Sequence, residues 1–190
     1  MRKSKQEAAA TRQRIVRAAA AEFCQKGIGG TGLSDLMAAA GLTHGGFYRH
    51  FNSKDQIVAE ACAIAAEVLV GRLAASASKK SPQSGLKTIA STYLSAAHRD
   101  DPSDGCPLAA LGSEMARADE ATRAAATEAF LKLVNVIAVQ FGKVRPDVAR
   151  RRALIVASAM IGALTMARIV TNSELSAAIL QQTEKHLTNL

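Results

Sequence analysis

Residues 33–54 read LSDLMAAAGLTHGGFYRHFNSK, and this stretch decides the fold of the first third of the chain. Its first part has the pattern of a short amphipathic helix that ends at Gly41. Its second part, from Thr43 onward, is dense in hydrogen-bond donors and aromatic rings. Two short helices joined by a glycine turn are typical of a helix-turn-helix, whose second helix enters the major groove of DNA. The stretch therefore predicts a DNA-reading module near the N-terminus.

The residues around this stretch extend the prediction to three helices. An apolar repeat of three or four residues predicts a first helix over about Gln6–Lys26, ended by Gly27. Thr43 is placed to cap the third helix, which is expected to end by residue 52. Phe47 and Phe51 lie four residues apart and are expected to hold that helix on the first two.

The remainder of the chain also predicts helices. Ser53 and Gln56 form a capping-box pattern before a long fourth helix that reaches residues 76–85. Further helices are predicted at about 85–99, from Pro107 onward, and at about 119–141, 147–170 and 173–187. The sequence thus predicts an all-α protein of about nine helices, in which a DNA-binding domain, residues 1–54, joins a helical domain, residues 55–190.

The positive charge is concentrated at the front of the chain. The net charge is +8, and residues 1–54 hold 9 Lys/Arg against 3 Asp/Glu, whereas the remaining residues hold 15 against 13. A basic front on a nearly neutral body is the electrostatic pattern of a nucleic-acid-binding module. A solvated basic tail is the alternative, because residues 1–5 alone supply +3. Charge by itself leaves both interpretations open.

Several classes of protein find little support in the sequence. The four histidines are scattered, and the chain has no HExxH, nucleophile elbow or phosphate loop, so neither an enzyme nor a cofactor is predicted. The three cysteines lack pairing or metal-ligand spacing, which favours a reducing cytoplasm. No secretory signal is expected from the charged residues 1–5. The longest apolar stretch, residues 153–167, is judged too short to span a bilayer, so no membrane partner is predicted.

The chain resembles the TetR (AcrR-type) family of bacterial transcriptional regulators over roughly Thr11 to Ile57. The matching positions are Ile15, Val16, Ala18, Ala19, Phe23, Lys26, Gly27, Thr31, Leu33, Ser34, Asp35, Leu36, Ala40, Gly41, Leu42, Thr43, Gly45, Phe47, Tyr48, His50, Phe51, Ser53, Lys54 and Asp55. The resemblance implies a homodimeric repressor that binds a palindromic operator and is released by a small-molecule or electrophile effector bound in the second domain. An activator, an architectural DNA-binding protein, and a helical ligand-binding or catalytic protein with a non-functional helix-turn-helix are the alternatives.

The predicted DNA contacts lie in and beside the third helix. His44 is expected to meet a base edge, and Tyr48 a thymine methyl or a phosphate. Arg49 is expected to reach either a base or the backbone. By resemblance, His50 and Lys54 fall where the family contacts phosphate. For His44 and Lys54 the alternative is an ordinary surface side chain.

Two glycines, Thr31 and Thr43 complete the predicted set of DNA contacts. Gly45 and Gly46 each cost a helix about 1 kcal/mol, which predicts close approach of the backbone to DNA; for Gly45, tight packing against the first helix is the alternative. Gly32 stands where the family usually has a capping Ser or Thr, so Thr31 is expected to take over that contact with phosphate. Thr43 completes the predicted set, as the cap of the reading helix.

The second domain is expected to supply the dimer interface, because one reading module buries too little surface for specific binding. The predicted interface consists of small and apolar residues of the penultimate helix: Ile155, Ser158, Ile161, Gly162, Leu164 and Ile169. A four-helix interface of this kind is what the resemblance implies. A helix buried within one chain is the alternative.

The effector pocket is predicted from Met, aromatic and polar residues of the body helices: Tyr93, Leu94, His98, Cys106, Leu111, Met115, Phe130 and Val134. Plain core packing is the alternative for each. Cys106 lies before Pro107 at a predicted helix N-terminus, where amide dipoles stabilise a thiolate and favour a thiol sensor. The neighbouring Asp100, Asp101 and Asp104 argue against that role, and a small structural residue is the alternative.

Overall fold

In the computed structural model, which describes residues 5–189, the chain folds into nine α-helices and one 3-10 helix, without a β-strand in that range, so the predicted all-α class is confirmed. Residues 1–4 lie outside the described residues. They carry part of the charge from which the absence of a secretory signal was predicted. The elements are α1 (Lys5–Lys26), α2 (Leu33–Ala39), η1 (His44–Arg49), α3 (Lys54–Ala77), α4 (Pro82–Tyr93), α5 (Ala96–Asp100), α6 (Pro107–Met115), α7 (Glu120–Val139), α8 (Pro146–Ile169) and α9 (Ser173–Leu187).

Two glycines end the first two helices, as the sequence predicts. Gly27 has φ +81° and Gly41 has φ +68°, in the left-handed region that glycine adopts without steric cost. After α2, Gly41 N–H donates to Ala38 O at 2.8 Å and Leu42 N–H donates to Met37 O at 2.9 Å, which is a Schellman motif. This tight turn sets the angle at which the next segment leaves α2.

The segment predicted as the third helix forms a 3-10 helix. Gly46 N–H bonds to Thr43 O at 3.0 Å and His50 N–H bonds to Phe47 O at 2.9 Å, both across three residues. Thr43 occupies the N-cap position, but its side chain makes no cap hydrogen bond. A short segment with two adjacent glycines gains little from an α-helix, because each glycine lowers helix stability, and the tighter form is common in short pieces.

The helix predicted over residues 85–99 is two helices in the structure. Pro82 begins α4 at the first-turn position that suits proline. The helix stops after Tyr93, and Ser95 then caps α5 by accepting from His98 N–H. Serine competes for backbone hydrogen bonds in this way, which explains the break that apolar periodicity could not reveal.

Two apolar cores divide the molecule, and the second of them joins the front of the chain to the body. It contains buried residues of α1, α2 and η1 together with residues of α3, α6 and α7, among them Leu111, Met115 and Ala129. The long helix α3 contributes to both cores. Helices α1, α2 and η1 therefore lie directly on α3 and α6.

Helix α8 is longer than the apolar stretch counted in the sequence. It has 24 residues, or about 36 Å at 1.5 Å per residue, and by length and composition alone it could cross a membrane, so the argument from shortness was wrong. Its inner face, with Val156, Met160 and Leu164, is buried in the core beside α7 and α9. The packing of this face, and not the length of the helix, argues for a place inside the fold.

Candidate nucleic-acid interface

One face of η1 is exposed and rich in hydrogen-bond donors. Thr43, His44 and Arg49 are exposed there, and Tyr48 has 66% of its surface accessible. On the opposite face Phe47 is fully buried and packs against Phe51, with ring centroids 5.4 Å apart. The side chains predicted to anchor η1 are therefore buried, and those of η1 predicted to contact DNA are exposed.

The two glycines of η1 have different surroundings. A Cβ at Gly45 would have no protein atom within 4 Å, so tight packing against α1 does not explain that glycine. A Cβ at Gly46 would lie 3.4 Å from the Met37 methyl carbon, which is close contact with α2. Gly46 thus lies at about contact distance from the end of a flexible side chain, whereas Gly45 leaves an open surface that a groove wall can approach.

The predicted phosphate contact of Thr31 is contradicted. The residue is fully buried, and its hydroxyl donates to Gly27 O at 2.8 Å. Thr31 therefore closes the turn after α1 instead of facing solvent. The sequence suggested a contact here only because Gly32 lacks a hydroxyl, and no cap hydrogen bond replaces it.

Lys54 and His50 are held by the protein itself. Lys54 Nζ donates to Ile28 O at 2.6 Å, which ties the start of α3 to the α1–α2 turn. An ammonium has three donors, so the predicted phosphate contact remains open to the other two. His50 is half-buried, and its carbonyl accepts from Arg12 Nε at 3.3 Å.

Arg12 forms a clamp that the sequence analysis missed. Its two terminal nitrogens each lie 2.6 Å from a Glu60 carboxylate oxygen, and its guanidinium lies 4.6 Å from the centre of the Phe51 ring. A bidentate Arg–carboxylate pair stacked on an aromatic ring fixes orientation as well as position. The clamp joins α1 to α3 behind η1. Arg12 and Glu60 are 48 residues apart, so no local pattern could have indicated the pair.

An exposed apolar stripe runs along α8. Ile155 and Ile169 are 64% and 63% exposed, and Ser158 and Gly162 lie exposed between them, with Ile161 partly covered. Leu164 was predicted for the same interface, but it is fully buried in the chain's own core, as is the nearby Ala157. Met166 of α8 and Leu175 of α9 are exposed and extend the stripe, although the sequence analysis did not single them out.

The predicted effector residues do not line one cavity. Tyr93, Leu94, Cys106 and Val134 are buried in the first core, and Leu111 is buried in the second. Met115 and Phe130 share a groove of about 680 Å³ between α6 and α7, whose lining also includes Leu108 and Gly112. His98 lines a different hollow of about 290 Å³ beside α3, with Arg72 and Asp104 at its rim.

His98 is bonded at both ring nitrogens. Nδ1 lies 2.7 Å from Tyr93 O, and Cys106 N–H donates to Nε2 at 3.0 Å, so the neutral ring carries its proton on Nδ1. Arg168 donates to His98 O at 2.6 Å. Three buried side-chain polar atoms of the described residues lack a hydrogen-bond partner in good geometry, and two of them, the Tyr93 hydroxyl and Arg168 Nη1, lie in this cluster. This hydrogen-bonded cluster joins α4, α5, α6 and α8.

Cys106 does not have the environment of a reactive thiol. The residue occupies the N-cap position of α6 as predicted, and the Tyr93 hydroxyl and the amides of Leu108 and Ala109 act to lower the pKa of the thiol. Complete burial has the larger effect and raises that pKa above its ordinary value of 9.0. Burial likewise raises the pKa of Cys24 and of Cys62 to about 12. The geometry favours a structural role for Cys106.

We expect the stability of the protein to fall in mild acid through His98. Burial lowers the pKa of His98 below 6.5, and the Arg168 and Arg72 charges lower it further against the opposing hydrogen bond to Tyr93 O. The unfolded chain therefore binds this proton more readily, so the stabilisation is complete above about pH 6.5 and is lost as the pH falls toward the pKa of the folded state.

Thermal unfolding of the wild type and of His98→Gln at about pH 8 and about pH 5.5 measures this effect. The glutamine amide oxygen can still accept from Cys106 N–H. The midpoint of the wild type should fall further than that of the variant. An equal fall in both proteins would assign the acid sensitivity to other groups.

Two family profiles match this chain. Residues 15–61 match bacterial regulatory proteins of the tetR family, and residues 82–185 match the C-terminal domain of LmrA/YxaF-like transcriptional regulators. The second match covers more than half of the chain. The two matches leave residues 62–81 between them, which form most of α3 and its following turn.

Individual relatives are similar to this chain either in sequence over its first third or in structure over nearly its whole length. The HTH-type transcriptional regulator AcrR of Shigella flexneri is 44% identical over 59 residues, which are 31% of this chain and 27% of that protein. The chain thus matches about a quarter of the length of this relative. A crystal structure of a TetR transcriptional regulator from Chloroflexus aurantiacus is 30% identical, with a TM-score of 0.79 over 97% of this chain and 95% of that one. Escherichia coli NemR has a TM-score of 0.81 at 19% identity, over 95% and 96% of the two chains, which shows the shared fold.

Proposed function

This chain belongs to the TetR family of bacterial transcriptional regulators, and from that premise we propose that it is a cytoplasmic, homodimeric repressor of a palindromic operator that a small effector releases from DNA. The observation that carries the proposal is the exposed donor-rich face of η1 on a buried aromatic anchor. Such a face has the size and chemistry of an element that reads the major groove.

The proposed role of each residue on that face follows from the exposure of its side chain. His44, Tyr48 and Arg49 reach outward and are proposed to meet bases and phosphates. Gly45 lets the backbone approach the groove wall. The front of the chain, which holds 9 Lys/Arg against 3 Asp/Glu, supplies the attraction to phosphate.

Homodimerisation is proposed through the exposed stripe of α8 and α9. Ile155, Ser158, Gly162, Met166 and Ile169 recur at intervals of three or four residues on the outward face of α8, and Leu175 continues the apolar surface on α9. Such a row suits packing against a second helix. Two reading faces brought together in this way can bind half-sites that lie roughly 34–36 Å apart.

Effector binding is proposed in the α6–α7 groove that Met115 and Phe130 line. Helix α6 also carries Glu114, whose carboxylate accepts from Gly29 N–H at 2.9 Å in the α1–α2 turn. A ligand that displaces α6 therefore pulls on the DNA-reading helices directly. An effector that binds the displaced state more tightly shifts the conformational equilibrium toward that state. The size of the shift is set by the difference between its affinities for the two states.

An activator and an architectural DNA-binding protein would use the same reading face. Binding assays must therefore distinguish contacts that read the sequence from contacts that any DNA can make. His44→Ala should reduce discrimination between operator and random DNA, because a base contact is lost. Lys54→Ala should weaken binding to both DNAs about equally and lower the slope of log affinity against log salt by about one, because a phosphate contact is lost.

Fluorescence anisotropy with operator and random duplexes at several salt concentrations measures both quantities. The operator is first selected from a random pool with the wild-type protein. Failure of the wild type to prefer any sequence would refute the proposed function. Repression is then tested with a reporter gene placed behind the selected operator.

A further inference from the structure

The end of the body away from the DNA-reading helices forms a basic surface, which we call the distal pole and define as residues 79–87, 142–152 and 184–189. These segments adjoin in the fold. A Cβ at Gly142 would lie 3.4 Å from Pro82 Cγ, and a hollow between the segments is lined by Pro82, Leu86, Phe141 and Asn189. The ends of α3, α7 and α9 and the starts of α4 and α8 thus meet at one place.

The pole contains most of the positive charge of the body. It has nine exposed cationic residues and two acidic ones, Asp147 and Glu184, whereas the other residues from 55 onward hold six cationic and eleven acidic residues. The nearly neutral body is therefore strongly polarised. The cationic residues of the pole are Lys79, Lys80, Lys87, Lys143, Arg145, Arg150, Arg151, Arg152 and Lys185.

The pole is remote from the reading face. Helix α3 starts at Lys54, which is bonded to the α1–α2 turn, and ends at Ala77 beside the pole. Its 24 residues span about 36 Å. A DNA duplex bound at η1 therefore does not extend to the pole. The positive charge of the pole does not serve operator binding.

Several of the acidic residues elsewhere in the body are engaged within the chain. Asp100 pairs with Arg99, Asp104 pairs with Arg72, Asp119 caps α7 and Glu114 accepts from Gly29 N–H. These contacts leave less acidic surface for the pole of a second copy to bind. A partner with dense negative charge of its own fits the pole better.

A lipid surface fits the pole less well than nucleic acid does. Of the large apolar side chains that are exposed in the described part of the chain, none lies within the pole, and Val139 and Ile155 adjoin it. Phe141 is half-buried, with the Arg152 guanidinium 5.7 Å from its ring centre. Membrane-surface helices bury an extended apolar face, which the pole does not offer. Arginine side chains, four of which occur here, bind phosphate oxygens in a bidentate manner.

We propose that the distal pole binds the phosphate backbone of a second double-stranded DNA segment without sequence preference, so that an operator-bound protein bridges two duplexes. The bridging rests on the proposed operator binding, whereas the second contact does not. Non-specific contacts of this kind are electrostatic and depend steeply on salt.

The test uses the full-length protein, a donor-labelled operator duplex and an acceptor-labelled random duplex, with energy transfer as the signal of bridging. The pole variant is Lys143→Gln/Arg150→Gln. The matched control is Lys132→Gln/Arg117→Gln, which removes one Lys and one Arg from exposed positions outside the pole.

The wild type and the control should bridge the duplexes, and the pole variant should bind the operator within twofold of the wild type. Binding of the random duplex to the operator complex should weaken about tenfold in the pole variant, and its salt slope should fall by about two, or 0.9 for each lost phosphate contact. Loss of operator binding by Tyr48→Ala would affect the operator assignment alone, and binding of random duplex that Tyr48→Ala retains and the pole variant weakens would support the pole.

Three results would overturn the proposal: no energy transfer with the wild type, equal loss in the pole variant and the control, or retention of bridging by the pole variant. A fourth is binding to vesicles of phosphatidylserine and phosphatidylcholine without any duplex bridging, which would assign the pole to a membrane surface. Salt-sensitive self-association in sedimentation experiments without DNA, lost in the pole variant, would assign it to a second copy and would also overturn the proposal.

Discussion

Tyr48→Ala is expected to lower operator affinity by roughly 10- to 100-fold while the protein stays folded, and Phe47→Ala is expected to unfold the DNA-reading domain. The two rings are adjacent in sequence and meet edge to face, with centroids 5.2 Å apart. Tyr48 points to solvent with 66% of its surface accessible, whereas Phe47 is fully buried. The pair therefore separates reading from folding at neighbouring positions.

The magnitudes follow from burial. Removing a buried phenylalanine side chain costs about 3–5 kcal/mol, a large part of the roughly 5–15 kcal/mol that stabilises a typical protein. Phe47 holds η1 against Phe51, so this loss falls on the reading element itself. Removing the exposed Tyr48 ring costs folding much less, but it removes a contact at the centre of the proposed interface.

Circular dichroism during heating and anisotropy with the selected operator measure both effects. Tyr48→Ala should keep a melting midpoint within a few degrees of the wild type, and Phe47→Ala should lose its cooperative transition or melt far earlier. Full operator affinity in Tyr48→Ala would remove that residue from the interface. Unchanged stability in Phe47→Ala would contradict the anchoring role derived from its burial.

Ile155→Glu/Ile169→Glu is expected to convert the proposed dimer into a monomer and to lower operator affinity on the order of a thousandfold. Each glutamate would place a charge in a surface that the dimer dehydrates, at the two ends of the α8 stripe. A single reading domain contacts only one half-site, so the loss of the second half-site removes much of the specific binding energy.

The matched control is Val68→Glu, since Val68 is an exposed valine of α3 away from the stripe. Sedimentation velocity should show a dimer for the wild type and the control and a monomer for the double variant. The melting curve of the isolated subunit reports whether the variant is still folded. A dimer that persists in the double variant would place the interface elsewhere on the chain.

The front of the chain was predictable because its signals are local. Gly27 and Gly41 end helices through backbone conformations that glycine adopts easily, and a four-residue interval put Phe47 and Phe51 on one face. The Ser53 cap was predicted in the same way, and its Oγ accepts from Gln56 N–H at 3.1 Å. Each of these features depends on residues within one helical turn.

The errors have a common origin in contacts between distant residues. Thr31 looked like an exposed hydroxyl, but the turn after α1 folds over it and buries it. Leu164 shares its helix with the exposed stripe, and only the packing of α8 in the core decides that it faces inward. For Cys106, sequence indicated the helix terminus correctly but could not indicate burial, which has the larger effect on the thiol pKa.

The residues of the opening stretch determined by themselves that two short helices meet at a glycine turn, that an aromatic pair anchors the second, and that donors occupy its other face. Tertiary structure alone decided that Arg12 and Glu60 clamp this second element, a 3-10 helix, from behind. It also decided that Glu114 joins the body to the α1–α2 turn, and that cations from three separate segments gather at the distal pole. Caps, turns and periodicity act over a few residues, whereas burial and charge clustering depend on which distant segments the fold brings together.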